Sequence, residues 1–176
     1  LRSLNMKDVS FDVEIQKIPS RGNPPRDPHR VSFMFSANPG EPVKPLINIA
    51  SGGEASRILL AIKTVLADVD NVSVLIFDEI DRGVAGETSQ RIAEKLQGIG
   101  RFRQVLCVTH SAPIAAAAKK HLLIVKLVDE NRTRTKLEEL NDDARVEEIA
   151  RLLSGKTNES ESRNLAQSLL ESNGNL

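Results

Sequence analysis

At 176 residues, with 40% hydrophobic and 27% charged residues, the chain is long enough for one globular domain with a proper core. Its 24 Lys and Arg balance its 24 Asp and Glu, so no global field draws it to nucleic acid or to a membrane, and any basic patch must be local. Five Phe without Trp or Tyr remove aromatic stacking as a strong theme, and the single Cys107 excludes an internal disulfide and argues against a zinc cluster. The sequence has no apolar run of transmembrane length and no signal-peptide pattern, which predicts a soluble cytoplasmic protein without a membrane partner. It begins at Leu1 rather than Met, as an excised piece of something longer would.

In chain order, "VSFDVEI" sets Val9, Phe11, Val13 and Ile15 on one face, and "VSFMFSA" repeats the alternation with Val31, Phe33 and Phe35. Both read as half-buried strands. Between them "PSRGNPPRDPHR" is dense in Pro and Arg and predicts a mobile surface loop over 19–30. Its Arg21, Arg26 and Arg30 are candidate phosphate contacts, against a plain solvated loop. From Ile49 the texture changes. "EASRILLAIKTVLADV" predicts a long helix with Ile58, Leu59, Ile62, Val65, Leu66 and Val69 inward. "NVSVLIFDE" is a nearly continuous apolar run, the pattern of a central parallel strand covered on both faces. Another helix follows, with Ile92, Ala93, Leu96 and Ile99 inward, and then "RQVLCVTH", a second buried strand in which Cys107 reads as a small core residue. "APIAAAAKK" is a short helix, and "HLLIVKLV" with "RTRTKLEEL" a hairpin turning at Asp129-Glu130-Asn131. Two helices close the chain, near Asp142–Ser154 and Glu159–Ser172. The order predicts an α/β domain with parallel core strands, flanking helices and antiparallel edge hairpins.

"ARLLSGKT", residues 150–157, imitates a phosphate-binding loop. Such a loop needs a buried strand before it and a helix after it. Here Val146, Ile149, Leu152 and Leu153 recur at helical spacing, with Asp142 or Asp143 as the cap, so the stretch is the tail of a helix. Gly155 ends that helix in left-handed conformation, and Lys156 complements its dipole.

Three other places carry chemistry. In "IASGGEASR" Ser51 caps a long helix, Gly52 and Gly53 leave amides unshielded, and Glu54 suits the first turn, so the arrangement points at an anion. Many capped helices look the same. In "LIFDEID" a buried strand delivers Asp78 and Glu79 at its carboxyl end, where ligands bind in open α/β sheets. Asp78 could hold Mg²⁺ through water, and Glu79 could orient and deprotonate an attacking water. The bland alternative is that acids end strands where they meet solvent. His110 ends the second buried strand on the same edge, where a neutral imidazole could bond a phosphate or the attacking water. His29 and His121 read as surface or structural residues.

Taken in order, "SGGE", "FDE" and "TH" resemble the signature motif, Walker B strand and switch histidine in the C-terminal lobe of ABC-type ATPase heads. The wording "KPLINIASGGEASRILLAIKTVL", "LIFDEIDRGVAG" and "VLCVTH" is similar to the RecN family, bacterial SMC-related proteins of DNA double-strand-break repair. The resemblance runs from about Val31 to the end. It implies that Ser51, Gly52, Gly53 and Glu54 contact the γ-phosphate of ATP on a partner head, making a homodimer through ATP-bound heads. It implies that Asp78 supports Mg²⁺, Glu79 activates water and His110 senses the γ-phosphate. The loop Asp81 to Gly86, with Gly83 and Ala85, would reach across that dimer. Ala85 stands where most ABC heads carry the loop's aspartate, so communication between sites would use other groups.

A Gly-rich phosphate loop, a glutamine-bearing loop and a heptad run are all missing from the sequence. The resemblance therefore implies that 1–176 is the C-terminal half of a head, cut just after a coiled coil, with an N-terminal lobe of the same protein as partner. Residues 1–45 would supply strands and the Pro/Arg-rich loop, and 46–176 the motif-bearing core with the last helices. Alone, this half is expected to bind ATP weakly and hydrolyse little. The whole would act on double-stranded DNA and its ends in a cytoplasmic, nucleoid-associated setting. Two other readings compete: a non-enzymatic module that binds DNA or a partner through 19–30, and a fragment of a transporter-type ABC ATPase.

Overall fold

A computed structural model of the chain describes residues 1–6, 8–19, 28–36, 38, 40–48, 52–67, 69, 71–129, 132–155 and 160–174. Its centre is a parallel pair of strands, β4 (Val74–Phe77) and β5 (Gln104–Cys107), in register from Val74 opposite Gln104 to Phe77 opposite Cys107. The helix α2 (Glu87–Gly100) makes the crossover between them. Leu75 and Phe77 face inward from β4 and pack with Leu60 of α1 (Gly52–Val65), Ile92, Leu96 and Ile99 of α2, and Ile114 of α3 (Ala112–Ala117). All four apolar residues expected inward on α2 are buried, because nothing on that helix competes with its 3.6-residue period.

The other face of the pair departs from expectation. Val74, Ile76, Leu106 and Val108 are exposed, Ile76 to 66%. The apolar run predicts cover on both faces, but among the described residues only one face has a covering layer. Cys107 sits at the margin of the core, half-buried, and its thiol pKa is pushed up to about 12, mainly by burial and then by Asp81 and Asp78.

The face of α1 is also rotated from the predicted one. Leu59 is exposed and Val65 more so, while Gly53, Arg57 and Leu60, spaced i, i+4 and i+7, turn in, and Ile58 packs with Met6 and Phe35. The cause is polar: Arg57 donates through Nη1 to the carbonyls of Arg82 (3.0 Å) and Ile80 (3.4 Å), which fixes the helix azimuth. The helix closes at Val65, short of Val69.

Before the centre lies an antiparallel sheet. β1 (Ser10–Lys17) pairs with β2 (His29–Ser36), and β2 with the short β3 (Lys44–Pro45). The alternation is as predicted, and Phe11 stacks on Phe33 at 5.9 Å. The expected half-burial is not met. Phe11, Val13, Ile15, Val31 and Phe33 are exposed, and only the Phe35 end is covered. His29 and Arg30 belong to β2, where Arg30 pairs with Gln16, so the expected loop to residue 30 is shorter; ladder pairing with β1 takes its last residues. Arg21 and Arg26 lie outside the described residues.

Beyond α3 come the antiparallel hairpin β6 (Leu122–Asp129) and β7 (Arg132–Glu139), then α4 (Asp142–Ser154) and α5 (Ser160–Ser172). Val146, Ile149 and Ala150 of α4 meet Ala166 and Leu170 of α5 over Ala112, Ala115 and Ala116. The cap of α4 is Asn141, one residue before the expected aspartates, with its side-chain oxygen accepting from the Ala144 amide at 2.9 Å. Gly155 ends the helix at φ 72°, its N–H donating to the Arg151 carbonyl at 2.8 Å. "ARLLSG" is thus a helix tail, and Lys156 and Thr157 lie outside the described residues.

Candidate functional site

The turn after β4 is where the motif residues meet. Asp78 and Glu79 stand just past the strand end rather than on it, both exposed. Glu79 has φ 54°, a left-handed posture unusual for a residue with a side chain. Its Oε2 lies 3.1 Å from Arg82 Nη1. The same carboxylate hangs over the start of α1, so a Cβ on Gly52 would stand 2.7 Å from Oε2. A Cβ on Gly53 would meet the Glu79 carbonyl at 3.0 Å and Arg82 Cβ at 3.1 Å. The two glycines therefore do more than bare their amides: they let the helix start sit against the turn that carries Glu79.

Ser56 and Arg57 tie the two together. Ser56 Oγ donates to the Asp78 carbonyl at 2.7 Å, two residues past the acidic Glu54. Burial lowers the Arg57 pKa from its usual value, with Glu54 opposing. Neither residue was singled out from the sequence. The available signal was a cation at an inward position of the α1 stripe. Ser51 lies outside the described residues.

Asp81 departs from its expected place in a loop reaching outward. It is 2% exposed and turned toward β5. Its Oδ2 accepts from Thr109 Oγ1 (2.6 Å), the His110 amide (2.8 Å) and the Ser111 amide (3.1 Å), and lies 3.2 Å from His110 Nδ1. Gly83, Ala85 and Gly86 remain exposed on that turn, with Gly83 and Gly86 at φ 72° and 56° and Gly86 preceding α2. The parallel register brings Phe77 beside Cys107, and the Val108 amide donates to the Phe77 carbonyl at 2.9 Å. Asp78, Glu79 and His110 consequently follow adjacent strand ends.

Among the described residues no three His, Cys, Asp or Glu side chains gather as a metal cage. A single exposed carboxylate at Asp78 fits Mg²⁺, which keeps waters and phosphate oxygens as most of its ligands. Arg30 lies on the β1–β2 sheet, and no described contact joins it to this turn.

No family model matches the chain. It is 44% identical over 174 residues to the DNA repair protein RecN of Treponema pallidum, covering 97% of this chain and 30% of that protein. With RecN of Halalkalibacterium halodurans it shares 46% over 160 residues, 88% of this chain and 28% of that one. The chain is RecN-like. It spans about 30% of the length of the RecN proteins it matches. A Smc head domain with a coiled coil and joint from Pyrococcus yayanosii superimposes on 88% of this RecN-like chain and 27% of its own, at TM-score 0.55 and 21% identity. That likeness is one of fold: the chain shares a mixed α/β fold with part of that head domain. Among the described residues no helix is long and apolar enough to cross a membrane.

Proposed function

We propose that this RecN-like chain is the C-terminal part of an SMC-type ATPase head in a protein of DNA double-strand-break repair, whose ATP-driven head dimerisation holds or tethers DNA. The observation that carries this reading is the turn after β4: it joins the Glu79 carboxylate, the glycine start of α1 and, through Asp81, the His110 strand end. Glu79 would orient water and take its proton, and His110 would bond the γ-phosphate or the attacking water. Asp78 would hold Mg²⁺ through water, and the ion would neutralise charge on the phosphate oxygens. Ser51, Gly52, Gly53 and Glu54 would offer amides and a helix N-terminus to ATP on a partner head. Gly83, Ala85 and Gly86 would face that partner. Arg30, with Arg21 and Arg26, would contact DNA phosphates.

The exposed apolar face of β4 and β5 supports an N-terminal lobe of the same protein as the neighbour that completes the site. The test is ATP hydrolysis by this chain alone, with that lobe added, and with Glu79→Gln in the mixture. Turnover in the mixture only, and stable ATP-bound dimers with Glu79→Gln, support the reading. No effect of Glu79→Gln on a DNA- or partner-binding function would favour a non-enzymatic module instead.

A further inference from the structure

The backbone on both sides of Glu79 is held by hydrogen bonds. Before it, Ser56 Oγ donates to the Asp78 carbonyl at 2.7 Å. After it, Arg57 Nη1 donates to the Ile80 and Arg82 carbonyls at 3.4 and 3.0 Å. The Glu79 carbonyl itself accepts from the Arg82 amide at 3.0 Å. A serine within a helix can turn its hydroxyl back onto the carbonyl one turn earlier, and this one instead reaches another element. The angle φ of Glu79 is the rotation that relates the Asp78 carbonyl to the Glu79 carbonyl, so the bonds on those two oxygens bear directly on its value of 54°. A residue with a side chain stays in that region only where its surroundings over-determine it. The carboxylate end is no such anchor, because the Arg82 and Glu79 side chains are 67% and 50% exposed and open pairs of this kind contribute little. Arg57 is buried and fixes the far half of the turn. On the near half, at the Asp78 peptide, the side-chain donor is Ser56.

We infer that Ser56 is a positioning residue for Glu79: by holding the Asp78–Glu79 peptide it keeps Glu79 at positive φ and its carboxylate over the start of α1, where a Cβ on Gly52 would stand 2.7 Å from Oε2. One helix thus carries both the glycine start and the brace of the turn that faces it. The catalytic meaning of the brace rests on the function proposed above, whereas the backbone geometry can be read without it. The first measurement is the intraresidue amide–Hα NOE of Glu79 in the full chain, which is strong only at positive φ, where the two protons are close. It should be strong in the wild type, fall in Ser56→Ala and persist in Ser56→Thr, which keeps a hydroxyl. Alanine suits a helix interior, so Ser56→Ala should keep the fold, as an amide spectrum unchanged beyond the turn would verify. A weak NOE in the wild type, an unchanged one in Ser56→Ala, or an equal loss in Ser56→Thr overturns the inference.

The second measurement is ATP turnover by the chain joined with its N-terminal lobe. Ser56→Ala should lower kcat on the order of tenfold with little change in KM, Ser56→Thr should restore most of it, and Ser56→Ala should add nothing to Glu79→Gln. A raised KM with kcat intact, or an equal further loss in the Glu79→Gln background, would mean that Ser56 acts otherwise than through Glu79. If Glu79→Gln alone left turnover intact, the proposed role of Glu79 in ATP hydrolysis would fall. The NOE would still decide whether Ser56 holds its backbone.

Discussion

The two faces of the β4–β5 pair are made of the same kinds of residue and have opposite fates. Leu75 and Phe77 are enclosed by α1, α2 and α3, whereas Ile76 and Val108, one residue away along the strands, stay open. The β1–β2 sheet repeats the contrast: Phe35 is buried and Ile15 exposed on the same strand pair. Hydrophobic pattern alone records that a residue is meant to leave water. It does not record whether the covering surface belongs to the same chain.

The sharpest way to test that contrast is to cut one residue on each side of it. Ile149→Ala, in the closed α3–α4–α5 cluster, should cost ~2–5 kcal/mol in denaturant melts. Ile76→Thr on the open face should stay within about 0.5 kcal/mol in the chain alone, yet weaken binding of the N-terminal lobe in a titration. A large loss from Ile76→Thr in the isolated chain would mean that the open face is covered after all.

Next in size is the packed end of α1. Gly53→Ala places a methyl against the Glu79 carbonyl and Arg82 Cβ, and should cost roughly 1–3 kcal/mol by the same melts. Gly52→Ala meets only the end of a flexible side chain, so it should leave stability nearly intact while displacing the Glu79 carboxylate, read as lost turnover in the proposed mixture with the N-terminal lobe. Smaller still is Gly155→Ala, which forces alanine to φ 72° and should cost about 1 kcal/mol. Its nucleotide affinity should not change, since "ARLLSG" ends a helix.

The smallest effect belongs to His121. Burial lowers its pKa below the usual 6.5, with Arg145 adding and Glu148 opposing. The unfolded chain binds that proton more readily, so stability is intact above pH 6.5 and falls as pH drops toward the folded pKa. His121→Leu should therefore shrink the difference between melts at pH 7.5 and pH 5.5.

How far the sequence could be read follows from the same physics. The α2 stripe was legible because Ile92, Ala93, Leu96 and Ile99 face one uniform core. The α1 stripe was not, because a cation, Arg57, occupies an inward position that an apolar count skips. The order and spacing of "SGGE", "FDE" and "TH" located the candidate site. The inward turn of Asp81, a residue expected in an outward loop, was not legible, since only the fold distinguishes a carboxylate bonded to the segment after β5 from one facing water. The strand alternation of Phe11, Val13 and Ile15 was legible, and the absence of cover on that face was not.

Glu79 has one more consequence. A residue with a side chain held at φ 54° stores backbone strain of about 1–3 kcal/mol that glycine would avoid. Glu79→Gly should thus raise the melting temperature while removing the carboxylate on which the proposed chemistry depends. Selection for robustness and selection for turnover would then pull this single position in opposite directions.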